Sequence, residues 1–244
     1  MASVYSALAL GILGPLCAGA AWIFYRRHGQ PRGRRTIDKK TQQALRRYVL
    51  LESTHGKPHS VLKTFREYTK QNHLVREMMF SPEQDIYLEE AVRECSPTMA
   101  LVLGTQCGYS AIRLLSLLPP GGRVYAVEED DTILESAEEM ILVSGYKNHQ
   151  FSLLCKDPVD AILALHHQFG QKKVDLVIID CDKYIPSFKA LTEAGLLYPG
   201  TLILLHNINH STAKEFVDHL ENAEHYRVVD GCLGLIKVQH VGPS

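Results

Sequence analysis

The sequence predicts a doubly wound α/β fold, a mostly parallel seven-stranded sheet closed by a C-terminal antiparallel hairpin and preceded by one transmembrane helix. Three observations carry this. From Met99 onward, short apolar runs alternate strictly with helical stretches, the chain ends in two β-rich runs about a turn dipeptide, and an uncharged apolar stretch opens it. Strands linked through helices run parallel and are covered on both faces, so they read as continuous apolar runs. The 244 residues suffice for one such domain and an appendage.

The opening stretch, Val4 to Tyr25, has no charged side chain. A helix of about twenty apolar residues spans a bilayer core. A cleaved signal peptide is the competing reading, but it would need a basic segment before the apolar one, and Met1-Ala2-Ser3 supplies none. Arg26 and Arg27 follow the span directly. Positive charge on that side puts the rest of the chain in the cytoplasm, as a single-pass membrane protein. Residues 1–25 are therefore read as the anchor, 26–35 as a basic Gly/Pro/Arg linker and 36–244 as the folded domain.

Helical periodicity resumes after the linker. Val61, Leu62, Phe65 and Tyr68 share a helix face, with Ser60 as the expected cap. Ser81-Pro82-Glu83-Gln84 has the spacing of a capping box with proline at the first helical position. MALVLG, RVYAVEE, QFSLLC, VDLVIID and TLILLHN are the five expected parallel strands. YRVVDGCLGLIKV supplies the hairpin, with Asp230-Gly231 as its expected turn.

Composition narrows the function classes. The chain is 45% hydrophobic and 22% charged with a net charge of -1, which argues against a nucleic-acid partner of the uniformly basic kind. Its 6 cysteines form no CxxC pair, so neither a zinc site nor a disulfide framework is signalled.

In a parallel sheet ligands bind beyond the C-terminal strand ends. The first strand ends in LGTQCGYS, where Gly104 and Gly108 permit a tight turn and close backbone approach; the G-x-x-x-G spacing disfavours a dinucleotide, and plain packing is the competing reading. The second strand ends in Glu128, about twenty residues past that turn, a separation suited to a carboxylate holding ribose hydroxyls. Together they indicate a nucleoside-type ligand. Asp157 and Asp160 follow the third strand, as helix caps or neighbours of an adenine. The fourth ends IIDCDKY, whose charges require a cation, a substrate or solvent, and the fifth ends in His206-Asn207.

LGTQCGYSAIRLL, VEED, IIDCDKY, LYPG and LLHN, in this order and spacing, resemble the class I S-adenosylmethionine-dependent O-methyltransferases of the catechol O-methyltransferase type. The resemblance implies a Rossmann-like methyltransferase fold over about Thr36 to Val241, a membrane anchor being also found in that family. It implies that Gly104, Gly108, Tyr109 and Ser110 cradle the methionine part of the cofactor, with Phe80 at its methionine end and Glu128 on its ribose. Asp180 would border the cofactor and bind Mg²⁺ together with the residues at 206 and 207. Asn207 would also meet a substrate oxygen, and Lys183 would be the base for the hydroxyl of a small aromatic substrate.

The departures cluster at the same place. His206 stands where the family has an aspartate, and an imidazole in place of a carboxylate weakens a Mg²⁺ site. A softer ion would tolerate it better. Val102 replaces an acidic residue, Pro158 and Val159 replace polar neighbours of the adenine, and the family's tryptophan substrate wall is missing. The same residues therefore allow a second expectation, a methyltransferase-like pseudoenzyme acting as an anchored interaction protein.

Overall fold

The computed structural model describes residues 38–242, apart from 77, 169–172, 209, 222, 224 and 233. The expected anchor, the whole of the linker and residues 36 and 37 lie outside the described residues. Among the described residues no helix is long and apolar enough to cross a membrane.

Four helices lead in: α1 (Lys39–Glu52), α2 (Pro58–Thr69), α3 (His73–Arg76) and α4 (Pro82–Cys95). The α/β alternation follows as β1 (Met99–Leu103), α5 (Tyr109–Leu117), β2 (Arg123–Glu128), α6 (Asp131–Val143), β3 (Phe151–Cys155), α7 (Pro158–Gln168), β4 (Leu176–Ile179), α8 (Tyr184–Glu193), β5 (Leu202–Leu205) and α9 (His210–Glu221). Strands β6 (Tyr226–Cys232) and β7 (Leu235–His240) close the chain. The sheet has 7 strands in the order β3-β2-β1-β4-β5-β7-β6. Strands β1 to β5 pair in parallel, and β7 is antiparallel to both β5 and β6.

The local signals explain most of the boundaries. At α4, Ser81 caps the helix, Pro82 occupies the first turn, and Gln84 returns a bond to the Ser81 amide to complete the capping box. Helix α2 departs from expectation. Its N-cap residue is Lys57 rather than Ser60, so the helix starts three residues early, and Ser60 Oγ instead accepts the Thr54 amide at 2.9 Å. The hairpin also departs. Asp230 and Gly231 lie inside β6, paired with Lys237 and Ile236 beside a register shift, and the chain reverses nearer Gly234, whose φ is 86°. Gly231 serves close approach there, since a Cβ would sit 2.6 Å from the Leu235 carbonyl oxygen.

Alternate residues of each central strand feed two cores. Ala100, Val102, Ile178 and Leu204 pack under α1, α2, α4 and α5, whereas Leu101, Leu103, Ile179 and Leu205 pack under α7, α8 and α9. All eight are fully buried. The register aligns Leu103 with Val127 and Ile179, and Ile179 with Leu205. The next residues, Gly104, Glu128, Asp180 and His206, therefore emerge side by side along one edge of the sheet. The strand order reverses between β1 and β4, where open α/β sheets bind ligands.

Candidate active site

The turn after β1 is held by its neighbour strand. Gly104 and Thr105 donate their amides to the Val127 carbonyl at 2.9 and 3.0 Å. Gly104 and Gly108 have φ of 90° and 87°, a region that glycine occupies at little cost. A Cβ on Gly108 would meet the Ala137 backbone at 3.2 Å, so packing and conformation both require glycine there. Ser110, buried, opens α5 just beyond.

Glu128 is fixed at the tip of β2. Its two carboxylate oxygens accept the amides of Gln106 and Glu129 at 3.1 and 3.0 Å. Gln106 was not singled out from the sequence. It adopts a positive φ of 50°, donates its backbone N–H to Glu128, and donates its side-chain amide to Asp180 Oδ2 at 3.3 Å. One residue thus ties the ends of β2 and β4 to the glycine turn. The one sequence cue was a long polar side chain inside a glycine turn.

A cleft of about 470 Å³ opens beside this turn, lined by Gly104, Glu128, Cys181 and Lys183, and also by Asp38 and Lys39 at the start of α1. The contribution of α1 was not foreseen. Two buried polar atoms of the turn, Thr105 Oγ1 and Gln106 Oε1, have no hydrogen-bond partner among the described residues. Buried polar groups normally have one. Unmet acceptors in a positive-φ turn, beside a carboxylate at a strand end, fit a ribose- and amine-bearing cofactor.

Tyr109 does not direct its hydroxyl to this cleft. It donates to Asp85 at 3.2 Å and accepts from Arg66 at 3.1 Å, in a half-buried network with Arg113. Phe80 is buried and lies against the His206 ring, with centroids 4.3 Å apart. Val102 is a core residue of the sheet. Burial pushes the Cys107 thiol up to about 12, so it remains protonated and inert.

Lys183 sits at the N-terminal edge of α8 and turns toward the tips of β2 and β3. Its ammonium is paired with Glu129 at 2.7 Å and with Asp157. The Asp157 contact, then the Glu129 contact, raise the lysine above its ordinary range. Lys183 in turn holds the Asp157 carboxyl below the usual range. Asp157 also caps α7 by accepting the Val159 amide.

Asp180, His206 and Asn207 do converge. His206 Nδ1 is 3.2 Å from Asp180 Oδ2 and from Asn207 Nδ2, and Asn207 Nδ2 is 3.3 Å from Asp180 Oδ1. Asn207 has a φ of 57°, which turns its amide back over the strand ends. The set does not fit Mg²⁺, which demands near-octahedral oxygen ligands and retains several waters. One carboxylate is present, both of its oxygens already accept amide donors, and Asp180 and His206 are 1% and 0% exposed. Among the described residues no group of three or more His, Cys, Asp or Glu side chains could hold a metal.

A parallel sheet with this strand order, a glycine turn after β1 and a carboxylate closing β2 define a class I methyltransferase fold. The chain belongs to the O-methyltransferase family, whose model matches residues 52–230. Catechol O-methyltransferase B of Danio rerio is 30% identical over 199 residues, covering 79% of this chain and 74% of that protein. Catechol O-methyltransferase of Mus musculus is 28% identical over 217 residues, 83% of this chain and 80% of that one. The human transmembrane O-methyltransferase is 29% identical over 184 residues, 74% of this chain and 62% of that protein. Among solved structures, the SAH-bound Podospora anserina methyltransferase PaMTH1 superimposes with a TM-score of 0.65 at 18% identity, over 85% of this chain and 98% of that one. The chain is thus a member of the S-adenosylmethionine-dependent O-methyltransferases of the catechol O-methyltransferase type.

Proposed function

We propose that this protein binds S-adenosylmethionine in the cleft beside Glu128 and transfers its methyl group to a hydroxyl of a small, catechol-like aromatic substrate. Residues 1–25 would anchor it in a membrane with the domain from residue 36 facing the cytoplasm. Glu128 carries this reading: it is held by two backbone amides at the strand end bordering the glycine turn, ready to accept ribose hydroxyls. Gly104, Gly108 and Ser110 would shape the methionine end, with Phe80 closing it and Asn207 facing the acceptor oxygen. The bound cofactor would supply an activated methyl on a sulfonium. The residues would supply orientation, which is a large part of the rate in such a displacement.

The names of the catechol O-methyltransferase relatives support the substrate class, and the human relative's name supports the anchor. Calorimetry of the full-length chain in detergent with S-adenosylhomocysteine tests the cofactor site. Glu128→Ala should weaken binding by about tenfold or more, the usual loss for hydrogen bonds to a charged group. No heat with the wild-type chain would sink the reading.

A second reading is favoured by Lys183, whose ammonium is held by two carboxylates and so keeps its proton rather than offering a free amine as base. In that reading the domain binds the cofactor without turnover and serves as an anchored interaction protein. Binding without transfer of labelled methyl to any hydroxylated aromatic would select it.

A further inference from the structure

The most enclosed polar group of the site is the cluster at the ends of β4 and β5. Asp180 is 1% exposed and His206 is 0% exposed. A lone buried carboxylate is costly unless donors surround it. Asp180 has them: the Gln106 amide at 3.3 Å on Oδ2, the Asn207 amide at 3.3 Å on Oδ1, and the imidazole Nδ1 at 3.2 Å.

The His206 backbone is itself braced, while the ring's Nε2 is buried without a hydrogen-bond partner among the described residues. The His206 amide donates to the Ile179 carbonyl at 2.9 Å, and the His206 carbonyl accepts the Tyr184 hydroxyl at 2.7 Å. Phe80 covers the ring face. Swinging the ring out to admit a hydrated cation would break packing on Phe80 and uncover Asp180.

Resting on the cofactor reading above, we propose that Gln106, Asp180, His206 and Asn207 form a metal-free polar knot that does the structural work of a divalent cation, so that the cofactor binds without any metal. The position is a substitution, not a vacancy. Three nitrogen groups meet the Asp180 charge that a cation would otherwise meet, and the second carboxylate a cation would need is absent. His206→Asp should reverse this. It would set two carboxylates side by side in a buried place, where like charges repel until a cation enters. The variant should be less heat-stable than wild type in EDTA and regain stability with Mg²⁺ or Mn²⁺.

The experiment uses the full-length chain in detergent and does not depend on turnover. Calorimetry with S-adenosylhomocysteine in EDTA, then with Mg²⁺, Mn²⁺ or Zn²⁺, should return affinities within about twofold, because a ligand with no differential effect on the two states shifts nothing. Titration of Mn²⁺ followed by electron paramagnetic resonance should show no protein-bound ion for wild type and one for His206→Asp. Metal-dependent cofactor binding, or Mn²⁺ bound by wild type and lost in Asp180→Asn, would overturn the inference. So would a folded His206→Asp that gains no stability from either cation. Should the cofactor give no heat in any buffer, the cofactor reading fails, and the Mn²⁺ titration on wild type still decides the knot by itself.

Discussion

Lys183 shows how far a residue's role depends on neighbours that sequence spacing does not show. The family resemblance makes the final lysine of IIDCDK a base, yet its ammonium is paired with Asp157 and Glu129 from two other strand ends. The signs are definite. A lysine raised in the fold adds stability below its unfolded pKa of about 10.4 and loses it only as pH rises through the folded value. Asp157, held low, adds stability above about 3.9 and loses it as pH falls through its folded value. Between those limits the pair is intact. If methyl transfer is measured against pH, no ascending limb between about 7 and 9 should belong to Lys183, and Lys183→Met should keep the profile's shape. A limb that vanishes in the variant would return the lysine to the base role. The stability cost of that change should stay below about 1 kcal/mol, because the ion pair is partly exposed. Asp85 is the contrast: it is 3% exposed, accepts the buried Tyr109 hydroxyl and pairs with Arg66 and Arg113, so Asp85→Ala should cost about 1–3 kcal/mol in urea unfolding by leaving the hydroxyl and the mostly buried Arg113 unmatched. None of these partnerships was legible in the sequence, since Asp85 and Arg113 come from different helices and Lys183 from a different strand end than its partners.

Elements were more legible than partners, for a physical reason. A strand buried on both faces must be apolar throughout, so β1, β2, β4 and β5 stand out as uninterrupted runs. Caps work through the few residues around them, which is why Ser81 and Gln84 did what their spacing required. Where tertiary pairing competes with a local cue, pairing wins. Asp230-Gly231 is a good turn dipeptide, but pairing with Lys237 and Ile236 holds it in β6. A less visible device joins the N-terminal ends of β1 and β4, away from the site: Asp175 accepts the Thr98 and Met99 amides at 2.8 Å and the Tyr198 hydroxyl at 2.5 Å. Burial raises the Asp175 carboxyl, but these bonds outweigh it and leave it below its ordinary value. Its contribution is therefore present above an unfolded pKa of about 3.9 and lost as pH falls through the folded one. Asp175→Asn should lower stability at neutral pH by about 1 kcal/mol, the usual net worth of hydrogen bonds whose donors are exposed or half-buried, and flatten the loss of stability on acidification. Equal slopes for variant and wild type below about pH 4 would show that the pin does not titrate with folding.

At the scale of the molecule, the sheet is a layer that both cores share. Val102 and Ile178 face one core while Leu103 and Ile179 face the other, so neither half can lose its packing without exposing the strands of its neighbour. A single cooperative transition follows from that sharing. The site lies at the edge where the shared strands end, with Gly104, Glu128, Asp180 and His206 aligned by register across β2, β1, β4 and β5. Anything bound there joins the tips of strands serving both cores, and it should stabilise the molecule as a whole rather than one half. At a hundredfold excess over its dissociation constant, a ligand specific to the native state adds about 2.7 kcal/mol. For a domain of this size that corresponds to a rise in Tm of roughly 5–10 °C. Scanning calorimetry with S-adenosylhomocysteine should therefore move one peak upward by that amount without splitting it. Two peaks, with only one shifted, would mean that the cores unfold separately and that the strand tips do not couple them.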